Sequence, residues 1–341
     1  MRAGVLTGGG DSPGINAALR SIVRFGDKQG VDVIGFEEGW KGPIEGLVHP
    51  LAQADVSGIL HVGGTILRSS RTNPFRIPDG PEKVVKTLED RGIDFLIAIG
   101  GDDTLGVAHR LAEHGVKAIG IPQTIDNDIG MTDYTLGFSS ALDVITDALD
   151  RLHTTAASHH RVLVVEVMGR DAGWLSLMGG VAGGADVILI PEQRFDVDSV
   201  FREIERRAGL RKRFSIVIIA EGAQPKSKEG QVVEEAEVDA FGHARLGGVG
   251  QYVANRLSER MKMPVRVTNL AYLQRGGSPS PFDRILATRF GAASIEFALN
   301  GRFDVMTAIQ GTRIVPVPLR DALAAPRPVD EELLYLVDLF E

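Results

Sequence analysis

The apolar positions of this chain fall into short runs divided by glycine-rich breaks, and the spacing inside the runs is of two kinds. Phe95-Leu96-Ile97-Ala98-Ile99 and Ala118-Ile119-Gly120-Ile121-Pro122 are apolar without interruption, which predicts strands buried on both faces. Residues 3–7, 31–36, 161–167, 187–191, 214–220, 265–270 and 305–315 read as further strands. Residues 15–25, 105–113, 139–153, 249–262 and 282–300 instead repeat their apolar positions every three or four residues, as helices do. In 139–153, Leu142, Ile145, Ala148, Leu149 and Leu152 share one face. Strands interleaved with helices along nearly the whole chain predict an α/β fold of doubly wound, mostly parallel sheets.

Residues 226–248 break the alternation. They are polar, acidic and dotted with glycine, and predict a surface excursion, such as a hairpin. Residues 330–340 predict a closing helix or an oligomer contact. The chain has 341 residues, 43% of them hydrophobic, enough for a large core and, as a prior, two domains. Its net charge of −8 and lack of a basic block argue against nucleic acid as a partner. No apolar run reaches membrane-spanning length. No signal peptide is visible at the start, so the expected compartment is the cytoplasm. The absence of cysteine excludes disulfides, thiolate metal sites and cysteine nucleophiles.

Three breaks carry candidate chemistry. Gly8-Gly9-Gly10-Asp11 follows the first strand and precedes a helix, an arrangement that can cradle phosphate on backbone N–H groups. Gly100-Gly101-Asp102-Asp103-Thr104 sits at another strand end. Carboxylates beside amides at a helix start suit Mg²⁺ together with phosphate oxygens. Thr124-Ile125-Asp126-Asn127-Asp128 follows a third strand. If that segment is extended, Asp126 and Asp128 face one side.

These segments, followed in order by Met168-Gly169-Arg170 and Gln274-Arg275-Gly276-Gly277, resemble the 6-phosphofructokinase family from Gly4 to about Arg313. The resemblance implies two α/β domains with the active site in the cleft between them. Residues 1–137 plus about 250–305 would form the phosphoryl-donor side, and 138–249 plus about 306–341 the sugar-phosphate side. It also implies roles. Asp126 is the base that takes the proton of the sugar 1-hydroxyl, with Asp128 positioning it or orienting the metal and Thr124 beside it. Asp102 is the Mg²⁺ ligand, directly or through water. Gly9, Asp103, Thr104 and Gln123 line the donor, and Arg71 bridges the transferring phosphoryl group. Arg161, Met168, Gly169, Arg170, Glu221, Arg266, Tyr272 and Arg275 hold fructose 6-phosphate. The equivalents of Arg161 and Arg266 come from a neighbouring subunit, so a homodimer or homotetramer is expected.

The donor is read from departures within the resemblance. Asp103 replaces the glycine usual in ATP-dependent members and directs a carboxylate at the space of the ATP α-phosphate. Diphosphate has no such group, so a pyrophosphate-dependent enzyme is expected. Gln123 stands where such members carry lysine; an amide donates a hydrogen bond to phosphate but brings no charge. Tyr272 replaces a histidine and leaves the sugar preference open to longer ketose phosphates, such as sedoheptulose 7-phosphate. The rivals are an ATP-dependent phosphofructokinase and a non-catalytic phosphosugar-binding subunit. A dinucleotide-binding oxidoreductase is disfavoured because its GxGxxG loop is missing.

Overall fold

The computed structural model describes residues 1–227 and 247–338. The excursion expected at 226–248 therefore lies mostly outside the described residues. The elements run β1 (Arg2–Thr7), α1 (Ile15–Lys28), β2 (Asp32–Phe36), α2 (Lys41–Glu45), β3 (Val48–Leu51), α3 (Gly80–Asp90), β4 (Phe95–Gly100), α4 (Asp102–Leu111), β5 (Ala118–Thr124), β6 (Leu136–Gly137) and α5 (Phe138–His159). They continue β7 (Val162–Val167), α6 (Trp174–Ala182), β8 (Val187–Leu189), α7 (Val197–Gly209), β9 (Ser215–Ala220), α8 (Val249–Ser258), β10 (Val265–Asn269), α9 (Pro281–Leu299), β11 (Val305–Gln310), β12 (Arg313–Pro318), α10 (Leu319–Ala322) and α11 (Tyr335–Asp338).

Two compact units result. The first joins Met1–Ser140 to Arg275–Pro326. Its sheet has the order β12-β11-β5-β4-β1-β2-β3, with β6 beside β5. The strands from β11 to β2 pair in parallel, and β3 and β12 close the edges antiparallel. Alternation along each strand sends side chains to opposite faces. Val5, Ile97, Ile99, Ile119 and Ile121 pack with Ile15, Ile22 and Phe290 of α1 and α9. Leu6, Leu96, Ala98 and Ala118 pack on the other face with Val84 and Leu105 of α3 and α4.

The second unit comprises, among the described residues, 141–227, 247–274 and 327–338. Its sheet is β10-β7-β9-β8, parallel throughout. Val162, Val164, Val217 and Ile219 bury one face with Val200, Ile204, Val253 and Leu257 of α7 and α8. On the other face α6 lies close: a Cβ on Gly180 would meet Ile188 and Ile218 at 2.8 Å, so only glycine permits that approach. Each unit is thus a sheet between helix layers, the doubly wound architecture expected.

Two expectations are corrected. Residues 305–315 are not one strand. Gly311, at φ 59°, turns the chain between β11 and β12 so that Gln310 faces Arg313 across a hairpin. The expected grouping also changes. Residues 250–274 belong to the second unit because β10 pairs with β7, and 306–326 belong to the first because β11 pairs with β5. At the chain end, where a closing helix or an oligomer contact is expected, the described residues form a 3-10 turn at Glu331–Leu333 followed by α11. Among the described residues no helix is long and apolar enough to cross a membrane.

Candidate active site

In the first unit the strand order reverses between β1 and β4: β1 leads to β2 on one side, and β4 leads to β5 on the other. Ligands of open α/β sheets sit outside the carboxyl ends of the strands at such a reversal. The three sequence motifs meet there. Thr7 at the end of β1 pairs with Ile99, and Gly100 at the end of β4 pairs with Pro122. The Gly8 N–H donates to the Ile99 carbonyl at 2.9 Å.

The glycines have local reasons. A Cβ on Gly8 would fall 2.6 Å from the Thr104 hydroxyl, and one on Gly100 would fall 2.5 Å from the Thr104 Cβ. Thr104 is 2% exposed and fills the space both glycines leave. Its side chain therefore packs the loop, whereas the sequence points it at the donor. Gly9, at φ 81°, makes the turn itself. Its N–H donates to the Ser70 carbonyl at 3.2 Å and its carbonyl accepts from the Ser69 hydroxyl at 2.6 Å. These two bonds sew the segment carrying exposed Arg71 to the glycine loop.

Gln123 is used differently from its expected role. It is 1% exposed. Its side-chain nitrogen donates to the Gly10 carbonyl at 3.1 Å and to the Ser12 hydroxyl at 2.9 Å. The Gly10 carbonyl cannot donate, so the amide orientation is fixed. Gln123 thus braces the glycine loop from inside. Arg275 braces it too: its Nη1 donates to the Asp11 carbonyl at 3.3 Å, over the place where a Gly10 Cβ would be.

Asp102 and Asp103 occupy the first turn of α4, Asp102 exposed and Asp103 half-buried. The helix start attracts negative charge. After β5 the chain turns instead of running on extended. Asn127 has φ 54°, and its side chain accepts from the Thr135 N–H at 2.9 Å and donates to the Asp133 carbonyl at 3.3 Å. The Thr124 hydroxyl accepts the Asp126 N–H at 3.1 Å. Asp126 and Asp128 therefore flank a left-handed residue, Asp126 at 6% exposure and Asp128 half-buried. Asn127 is not among the candidates read from the sequence, although asparagine between two turn carboxylates is a signal for positive φ.

One buried carboxylate supports this site from behind. Asp283, in the first turn of α9, accepts the N–H groups of Gly137 at 3.0 Å and Ser140 at 2.8 Å and the Ser140 hydroxyl at 2.6 Å. It caps the start of α5. Burial raises its pKa, against those hydrogen bonds.

In the second unit Met168-Gly169-Arg170 leaves β7, and Glu221 leaves the adjacent β9. Arg170 has φ 50°, and its N–H donates to Glu221 Oε1 at 3.3 Å. Gly222 runs beneath it so closely that a Cβ would lie 1.7 Å from the Arg170 carbonyl oxygen. Gln274, fully buried, accepts the Met168 N–H at 3.3 Å and donates to the Ala271 carbonyl at 3.0 Å. Glu221 and Gln274 thus shape the turn, while Tyr272 is 73% exposed on the short 3-10 turn. Arg161 and Arg266 do not join this group. They lie at the opposite end of the sheet, where Arg266 pairs with Leu163. The length of β7 separates them from Met168 by about 20 Å.

A profile of the family described as Phosphofructokinase matches residues 2–298. The chain is 52% identical to the pyrophosphate–fructose 6-phosphate 1-phosphotransferase of Amycolatopsis mediterranei, over 100% of this chain and 99% of that protein. It is 46% identical to ATP-dependent 6-phosphofructokinase 3 of Streptomyces coelicolor, over 97% of each. The phosphofructokinase structure from Saccharomyces cerevisiae superposes with a TM-score of 0.82 at 32% identity, over 95% of this chain and 45% of that longer one. Family match, relatives and strand-end geometry agree: the chain belongs to the phosphofructokinase family and is a phosphotransferase.

Proposed function

We propose that this phosphofructokinase is pyrophosphate-dependent, moving a phosphoryl group reversibly from diphosphate to the 1-hydroxyl of fructose 6-phosphate to give fructose 1,6-bisphosphate and phosphate. The observation that carries the donor choice is Asp103. Its carboxylate stands in the first turn of α4, one residue beyond Asp102 and the glycine pair. A third phosphate extending past that turn meets like charge; diphosphate ends before it. The name of the Amycolatopsis mediterranei relative agrees.

In this reading Asp126 accepts the proton of the sugar hydroxyl, and its turn holds it at the attacking oxygen. The hydroxyl oxygen forms the new bond to phosphorus as the bond to the departing phosphate breaks. Arg71 stabilises charge on the transferring oxygens. Asp128 orients the base. Among the described residues no three His, Asp or Glu side chains gather as a metal cage. A single exposed carboxylate, Asp102, suits Mg²⁺, which binds through one or two carboxylates, waters and substrate phosphates. When bound, the ion neutralises donor charge.

The turn at Arg170 and Glu221 takes the sugar. Arg161 and Arg266, about 20 Å along the strand from Met168, serve a sugar phosphate only in a neighbouring copy, so a homo-oligomer goes with this reading. ATP as donor is the second reading, favoured by the 46% identity to an ATP-dependent member. The reverse reaction separates the two. Fructose 1,6-bisphosphate with phosphate should yield diphosphate; a reverse reaction that runs only with ADP supports ATP.

A further inference from the structure

The segment that carries Arg71 holds a second arginine with no assigned task. Arg68 has φ 59°, a left-handed conformation that a side chain other than glycine adopts at a cost. Its backbone is pinned. The Arg68 N–H donates to the Thr65 carbonyl at 3.2 Å, and the Arg68 carbonyl accepts the Thr7 hydroxyl at 2.7 Å. Thr7 is the last residue of β1, immediately before Gly8. Ser69 and Ser70, the next two residues, bond to Gly9. The unfavourable conformation is therefore built into the rim of the glycine loop and is not incidental to a loose surface turn.

The side chain is not spent on holding that rim. It is 72% exposed, and its carboxylate neighbour Glu38 lies 3.9 Å away, too far for a hydrogen bond. Glu38 is itself engaged by Lys41 at 2.6 Å, and that hydrogen bond is the main cause holding its carboxyl below the ordinary range. Among the described residues the Arg68 guanidinium thus keeps its donors available in the plane suited to phosphate. The donor site needs such a group. Diphosphate is polyanionic, the neutral amide of Gln123 is turned inward, and Asp102 and Asp103 are negative.

We propose that Arg68 is a second donor-contact residue, whose guanidinium binds the phosphoryl group that departs as phosphate while Arg71 binds the one transferred. The proposal rests on the diphosphate reading above. It makes the strained backbone a device for standing a cation at the glycine-loop rim.

The test compares wild type with Arg68→Gln, Arg68→Lys and Arg68→Gly, measuring KM for diphosphate and for fructose 6-phosphate and, independently of turnover, diphosphate binding by calorimetry. Arg68→Gln should weaken diphosphate binding and raise its KM about tenfold, the loss of one charge-assisted contact, with the sugar KM within twofold. Arg68→Lys should recover part of the loss. Arg68→Gly should match Arg68→Gln in KM while unfolding at a higher temperature, which separates the charge from the backbone strain. Diphosphate KM and binding within twofold of wild type in Arg68→Gln and Arg68→Gly would overturn the role of Arg68 while leaving the donor reading standing. A wild-type protein that uses ATP and does not bind diphosphate would overturn both.

Discussion

Gln123 donates its side-chain amide to the carbonyl of Gly10 across 3.1 Å, joining the end of one parallel strand to the glycine loop of another. In the proposed reading, a residue at this place acts on the donor through the loop. Gln123→Glu removes the donor and sets a carboxylate against a carbonyl, leaving buried groups unsatisfied at about 1–3 kcal/mol. Catalytic efficiency for the phosphoryl donor is expected to fall about tenfold to a hundredfold, with the sugar KM little changed. Gln123→Lys, which still donates, should lose less. Steady-state kinetics of the two variants check the order; equal losses would count against bracing by hydrogen bond.

Asp126 is buried in a turn fixed by Thr124 and Asn127. Asp126→Asn keeps the shape and removes the base. It should lower kcat by about 10²–10⁴, the range for a positioned general base, and move the KM for fructose 6-phosphate far less. A kcat within a few-fold of wild type would remove Asp126 from proton transfer.

Gly222 leaves no room above it: the Arg170 carbonyl lies 1.7 Å from the position of an added Cβ. Gly222→Ala must displace backbone and should cost about 1–3 kcal/mol or more in stability. It should raise the sugar KM while leaving the donor KM alone. Thermal unfolding combined with both KM values reads this, and an unchanged sugar KM would detach the Arg170 turn from the sugar.

Asp283 provides a pH signature. Burial raises its folded pKa above the ordinary 3.8. Between the unfolded and folded values the native state holds more protons than the unfolded state, so this group's contribution falls as pH rises through that window. Asp283→Asn removes the dependence, and also loses one acceptor for the α5 start, costing about 1–3 kcal/mol. Urea unfolding from pH 4 to pH 7 should show the wild-type minus variant stability difference decreasing upward from pH 4. A difference that rises with pH would reverse the assignment.

β4 and β5 are legible in the sequence because both of their faces are buried, which leaves an uninterrupted apolar run. The glycine and aspartate breaks are legible because strand ends of doubly wound sheets need them. The β11–β12 turn is not read from the sequence, although Gln310-Gly311-Thr312-Arg313 interrupts the apolar run with a glycine among polar residues. The unit membership of residues 250–274 and 306–326 is also hidden, because it depends on β10 finding β7 and β11 finding β5, pairings no local pattern encodes. At the site, the sequence names residue types but not the directions of their side chains. Thr104 and Gln123 read as reaching for a ligand, yet both are buried against the glycine loop, because a hydrogen bond's direction is set by tertiary neighbours.

The central claim is the donor, and initial rates test it most directly. Wild type and Asp103→Gly are compared on fructose 6-phosphate with Mg²⁺, using diphosphate or ATP at matched concentration. The expected result is turnover with diphosphate and little with ATP in wild type, and a gain with ATP once the carboxylate is gone. Faster wild-type turnover with ATP, unaltered by Asp103→Gly, would contradict it.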